Sequence, residues 1–440
     1  MMRARGVRNG WAAAAVVAAL LSLPTASQAR AQEGVGTAGT FLIRGGSVWT
    51  PNGQLMQADV LIRDGRIESV GTLGPIAGAQ EIDARGKRVY PGMWDSFTPV
   101  GLAEIGGIAT MNMRSELGDF NPNDRAIVAI NVESEMIAIT RSTGVTNVLT
   151  APSGGIMSGQ AAVLHMSGWT WEDMAANASA AYIINYPRAG GGGRGGGGFT
   201  PSPDQTRAAS ERTTQQVNSL KDMIRTAKAY DEARSAGSTD FDLKLESMRP
   251  LVRGEKLALV AADREEEIRG AVALADSFGL KVAIEGGDEA WKVADLLARR
   301  NVPVVLGSLQ STPAADAPYD AIYAQPGVLY RAGVKIAFST GAASNARHVP
   351  YHAALAEAYG LPADAAMNAL TIWPAEIFGV GDQLGSVEAG KIANLFIADG
   401  DPLDIRTHVS AIFIKGRNVP LDDRHTRLYE KWNGRPKGGG

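Results

Sequence analysis

The stretch Val89-Tyr90-Pro91-Gly92-Met93-Trp94-Asp95-Ser96-Phe97-Thr98-Pro99 passes from an apolar run through Pro-Gly into a segment punctuated by Asp95, Phe97 and Pro99. Of these three, only Asp95 can offer a lone pair to a divalent ion, because phenyl and pyrrolidine rings donate none. Farther along, residues 257–262, 281–284, 302–306 and 334–338 are short apolar runs with the continuous burial expected of parallel strands. Between the first three runs, Ile268, Ala271, Val272 and Ala275, then Ala290, Val293, Ala294 and Leu297, recur at the spacing of one helix face. Strand followed by helix, repeated, is the rhythm of an α/β chain folded as a (β/α)8 barrel. The chemistry of such a barrel lies at the carboxyl ends of its strands.

On either side of this region the text changes. Residues 41–89 alternate β-rich runs with turn signals such as Asn52-Gly53 and Asp64-Gly65, and Asp-Gly suits a tight hairpin because glycine accepts positive φ. Residues 394–398 and 409–415 again read as strands.

The frame around Asp95 resembles the Pro-Gly-x-x-Asp-x-His-x-His signature of the amidohydrolase superfamily, with Phe97 and Pro99 standing where the two histidines would be. Residues 371–379, Thr-Ile-Trp-Pro-Ala-Glu-Ile-Phe-Gly, and 384–395, Leu-Gly-Ser-Val-Glu-Ala-Gly-Lys-Ile-Ala-Asn-Leu, resemble two further stretches of that family, Asn394 replacing the usual aspartate. With Asp64-Gly65-Arg66-Ile67, the similarity covers nearly everything after residue 40 and is to the imidazolonepropionase-like branch. It implies a TIM barrel over residues 93–380 beside a small composite β-sandwich built from 41–92 and 381–425, with 426–440 as a tail. It also implies descent from hydrolases of non-peptide or dipeptide-like carbon–nitrogen bonds.

Those hydrolases activate water on one or two metals held by donors after the first, fourth, fifth, sixth and eighth strands. Here the first-strand positions are Phe97 and Pro99. Ala261-Ala262-Asp263-Arg264 follows the fifth strand, Glu285-Gly286-Gly287 the sixth, and residues 339–344, Ser-Thr-Gly-Ala-Ala-Ser, bring no carboxylate to the eighth. No lysine lies between Arg88 and Lys221 for the fourth. The expectation is a degenerate metal site without a cofactor, in a binding or partner subunit, with a structural surface protein around an empty barrel as one alternative. The other is a rebuilt site in which Asp95, Asp263 and Glu285 hold Zn, Mn or Mg, oxygen ligands suiting the harder ions. Against that alternative stand ordinary roles, Asp95 satisfying backbone amides at the first loop and Asp263 capping the helix that begins at Arg264.

His348 and His352 are four apart, but Pro350 favours a helix whose first turn begins near it rather than one spanning both. The candidate substrate contacts are therefore Asp95, Arg264, Arg347 and His348. His165, His408 and His425 read as structural. Residues 190–198, glycines around Arg194, read as a flexible loop because no Gly-Lys-Ser/Thr follows. Residues 206–234 read as a solvated helix.

Arg3, Arg5 and Arg8 precede an apolar run from Trp11 to Leu23 and small residues ending at Ala31, which is the pattern of a cleaved export signal over residues 1–31. The expected location is the periplasm, with no membrane span left after signal removal. The chain has no cysteine, hence neither a disulfide nor a lipid-bearing thiol. Its 45% hydrophobic content supports a large core. A net charge of −3 without a basic stripe among aromatics argues against nucleic acid. A small-molecule ligand or a related amidohydrolase subunit is the expected partner, and a homo-oligomer is compatible with these features.

Overall fold

The computed structural model describes residues 35–104, 108, 112–188, 202–313 and 317–435. Residues 1–31, read as an export signal, and the glycine-rich stretch lie outside the described residues.

The chain opens with β1 (Phe41–Trp49), β2 (Leu55–Arg63), β3 (Arg66–Gly71), β4 (Gln80–Asp83) and β5 (Arg88–Pro91). Asp64 and Gly65 both take positive φ, 50° and 79°, as a two-residue turn between β2 and β3 requires. Next come β6 (Met93–Thr98), β7 (Val145–Thr150), β8 (Met157–His165), β9 (Ala175–Asn185), β10 (Leu257–Ala262), β11 (Lys281–Gly286), β12 (Val304–Leu306) and β13 (Ile336–Phe338). The chain ends with β14 (Leu395–Ala398), β15 (Val409–Ile414), β16 (Arg417–Val419) and a helix, Arg424–Asn433.

One sheet has the order β16-β15-β14-β5-β1-β2-β3, with β4 paired to β1. It joins the two ends of the chain because β5 and β14 pair antiparallel, Tyr90 opposite Phe396. Phe41, Ile43, Val60, Ile62, Leu395 and Phe413 form its own core, and the Phe41 and Phe413 rings meet edge to face at 5.2 Å.

The second sheet runs β6 to β13 in chain order and is nearly closed. Trp94, Leu149, Val163, Ile183, Leu259, Ala283, Val305 and Ala337 fill its interior, while the alternate residues of the same strands pack outward. Phe378 stacks on Trp94 at 6.4 Å inside this interior cluster. The expected helices appear at Glu265–Phe278 and Ala294–Arg299, the latter preceded by a 3-10 turn over Ala290–Val293.

One strand departs from the all-parallel rhythm. β8 pairs antiparallel with both β7 and β9. Only residues 151–156 join β7 to β8, far fewer than a parallel crossover needs, so the chain turns back as a hairpin. The start of β8 is thereby brought to the face that carries the carboxyl ends of the other strands.

The segment read as a solvated helix is Pro203–Ser235, capped by Ser202 and Gln205, each accepting from the other's backbone N–H. Its second half is not solvated all round. Leu220, Ile224, Ala227 and Tyr230 are buried at one-face spacing, which seats the helix on the barrel wall. The segment read as a tail includes the ordered helix Arg424–Asn433.

Candidate functional site

Midway along β6, Asp95 is fully buried. Its Oδ1 accepts from the Thr340 N–H at 3.0 Å and its Oδ2 from the Thr340 hydroxyl at 2.5 Å, with a longer contact from the Phe97 N–H at 3.5 Å. Burial pushes its carboxyl up to about 7, against the opposing pull of these donors. The Gly341 N–H also donates to the Phe97 carbonyl at 3.1 Å. Asp95 thus links the first barrel strand to the loop after the last. With no exposed surface, it is closed to a substrate.

Phe97 packs on the interior cluster, and Pro99 is buried. Across the mouth, Arg188 follows β9 and its guanidinium lies 3.0 Å from the Asp263 carboxylate after β10. The backbone there needs a bare neighbour. A Cβ on Gly286, the last residue of β11, would stand 2.2 Å from Asp263 Oδ1, and Gly286 has φ +88°. Thr213 of the long helix donates to the Arg188 carbonyl at 2.8 Å.

Asp263 does not cap the following helix. Its own N–H and that of Arg264 both donate to Glu267 Oε2, at 2.9 and 3.3 Å, so the third helical residue reaches back and leaves the Asp263 carboxylate for Arg188. Glu285 lies on the interior-facing side of β11, in register with Ala261, and is part-buried. Among the described residues no three His, Asp or Glu side chains gather as a metal ion would need. The trio Asp95, Asp263 and Glu285 is therefore not assembled: one closes the barrel, one is ion-paired, and one stands on the interior wall. Among the described residues, the donors present do not fit the divalent metal that the resemblance implies.

The candidate substrate contacts are not brought together either. Arg264 is exposed at the start of its helix. Arg347 turns to the C-terminal segment, with Nη1 2.7 Å from His425 Nδ1, and lines a cavity of about 290 Å3 with Tyr351, Asp404 and Asp423. His348 accepts from Arg347 Nε at 3.0 Å and stacks on Tyr351. The helix begins at Val349, so His348 flanks it while His352 is buried within it, bonded to the Ser339 backbone and driven by burial down to about 4. A larger cavity, about 560 Å3, lies at the amino ends of β10 to β13 between Leu257, Lys281, Val302 and Lys335. That is the wrong end for barrel chemistry, and position decides against it as the site.

Two polar groupings escaped the sequence reading. Arg188 could have been noticed as the first cation after the apolar run 180–184. His165 is buried in a network in which its Nδ1 faces the side-chain amides of Asn147, at 3.2 Å, and Asn394, at 2.9 Å. Asn394 also donates to Asn147 Oδ1 at 2.8 Å and accepts from the Lys415 N–H at 2.8 Å, tying the composite sheet to the barrel. Desolvation holds the His165 imidazole neutral, down to about 3.

Comparison with known proteins agrees with this architecture. Residues 321–423 match the model of the amidohydrolase family. Amidohydrolase tasK of Hapsidospora irregularis is 25% identical over 400 residues, covering 83% of this chain, which spans only 40% of that relative's length. The crystal structure of an amidohydrolase from Thermotoga maritima MSB8 superposes with a TM-score of 0.75 at 26% identity, covering 86% of this chain and 99% of that one. A prolidase complexed with N-methylphosphonate-L-proline shares the fold at a TM-score of 0.53 and 19% identity, over 86% of this chain and 99% of its own. By these findings the chain is similar to amidohydrolases, in sequence over residues 321–423 and in the barrel and companion sheet over most of its length.

Proposed function

We propose that this chain is an exported amidohydrolase-family protein of the imidazolonepropionase-like branch that has lost metal catalysis and serves as a binding or partner subunit, retaining a small-molecule site at the barrel mouth. The observation that carries this reading is the Arg188–Asp263 ion pair. It puts a fixed cation and a neutralised carboxylate at the ends of the fourth and fifth barrel strands, where the family's hydrolases need metal donors. Phe97 and Pro99 remove the first-strand donors in the same region. A guanidinium is permanently charged, so it neither ligates a metal nor takes a proton from water.

The test is metal content and turnover together. Purified mature protein, dialysed and analysed by elemental spectroscopy, should hold far less than one equivalent of zinc. It should not hydrolyse N-acyl amino acids, dipeptides or cyclic amides with zinc or manganese added. Stoichiometric metal with metal-dependent turnover overturns the reading.

A further inference from the structure

The C-terminal helix Arg424–Asn433 is ordered, yet none of its residues is buried. Asp423 caps it, accepting from the Thr426 N–H at 2.8 Å. Arg427 pins one side to the body by pairing with Glu135 at 3.1 Å. Successive residues turn by about 100°, which sorts the remaining side chains into sectors. Leu428, Tyr429 and Trp432 share a face that lies away from the Thr426–Arg427 side, and they are 40, 70 and 58% exposed. Arg424, Lys431 and Arg435 line the adjoining edge, all exposed, with the Lys431 ammonium 5.4 Å from the Trp432 ring centre. Glu430, the one acid of the helix, falls on the other side.

A helix segregated in this way normally buries its apolar face; here only His425, at the first turn of that face, meets the body through Arg347, and Leu428, Tyr429 and Trp432 turn outward. We propose that the face is a docking surface for an anionic lipid bilayer, with Trp432, Tyr429 and Leu428 entering the headgroup boundary and the basic edge lying over the phosphates. Charge selects this occupant. Leucine, tyrosine and tryptophan beside a row of cations match an interface that is apolar beneath and negative at its surface. No helix among the described residues is long and apolar enough to cross a membrane, and the proposed contact is interfacial.

The experiment is cosedimentation of the full chain with phosphatidylglycerol-rich vesicles and with pure phosphatidylcholine vesicles, at low and high salt. Expected is binding to the anionic vesicles, weakened by salt, and reduced about tenfold in the double variant Leu428→Ser, Trp432→Ser and in the double variant Arg424→Gln, Lys431→Gln. Because the helix has no buried residue, the melting temperature of both variants should match that of the parent chain. Failure to bind anionic vesicles, equal binding to both vesicle types, or binding that survives both variants overturns the proposal. So does an oligomer that dissociates in the Leu428→Ser, Trp432→Ser variant when the parent chain ignores vesicles, which would assign the face to a second copy of this chain.

Discussion

Asp95 and Thr340 lie 245 residues apart in the chain and are joined twice, once through the Thr340 backbone N–H and once through its hydroxyl. No strand pairing connects β6 to β13, so these bonds, with the one from Gly341 to Phe97, are what close the barrel at its carboxyl end.

Closure of this kind should titrate. The folded Asp95 carboxyl sits at about 7, above its ordinary value of 3.8, so the native state holds the proton more tightly than the unfolded chain does. Its contribution to stability is full below pH 4 and is lost as pH rises through about 7, an effect on the order of a few kcal/mol. Denaturant unfolding followed from pH 4 to 8 should show this fall. Asp95→Asn should flatten it, since an amide keeps an acceptor for the N–H and a donor for the hydroxyl. Asp95→Ala should cost about 2 kcal/mol or more by leaving the buried Thr340 N–H without a partner.

Gly286→Ala sets a Cβ against Asp263 Oδ1 at a φ that L-residues resist. A loss of about 1–3 kcal/mol is expected. Combining it with Asp263→Ala should recover the steric part and leave the backbone part, which a double-variant cycle in urea would separate. Equal losses in the single and double variants would mean that Asp263 does not rest over Gly286.

Asn394→Asp, which installs the aspartate of the resembled family, should destabilise this chain by about 2 kcal/mol at pH 8. The carboxylate brings lone pairs where Asn394 now donates to Asn147 and His165. A buried carboxylate would raise the His165 pKa above its unfolded value, so the stabilising pairing would be present below that value and lost as pH rises. The deficit should therefore shrink from pH 8 to pH 6 in parallel unfolding curves.

Restoring Phe97→His and Pro99→His should produce no metal-dependent hydrolysis in assays with added zinc or manganese. Arg188 still holds Asp263, and residues 339–344 still offer no carboxylate to take the proton from water. Robust turnover in that double variant would show that a working donor set exists elsewhere in the barrel.

Local chemistry made much of this protein legible in the sequence. The Asp64-Gly65 turn, the apolar runs of β10 to β13 and the one-face spacing of the helix Glu265–Phe278 each depend on neighbours a few residues away. The motif stretches around Asp95 and Asn394 foretold the composite sheet and the barrel. The direction of β8 was not legible, because every residue of that strand is buried and continuous burial reads the same in either orientation. Nor were the partners of the site residues. Asp95 read as a ligand, a substrate contact or an acceptor for first-loop amides until barrel closure gave it Thr340 from the far end of the barrel, and Asp263 read as a helix cap until Glu267 took that role and Arg188 arrived from another loop. Sequence determined which segments become strands and helices and which donor side chains are missing, because those are properties of the residues themselves. Only the tertiary structure decided which charges meet, because closing the barrel sets that distance.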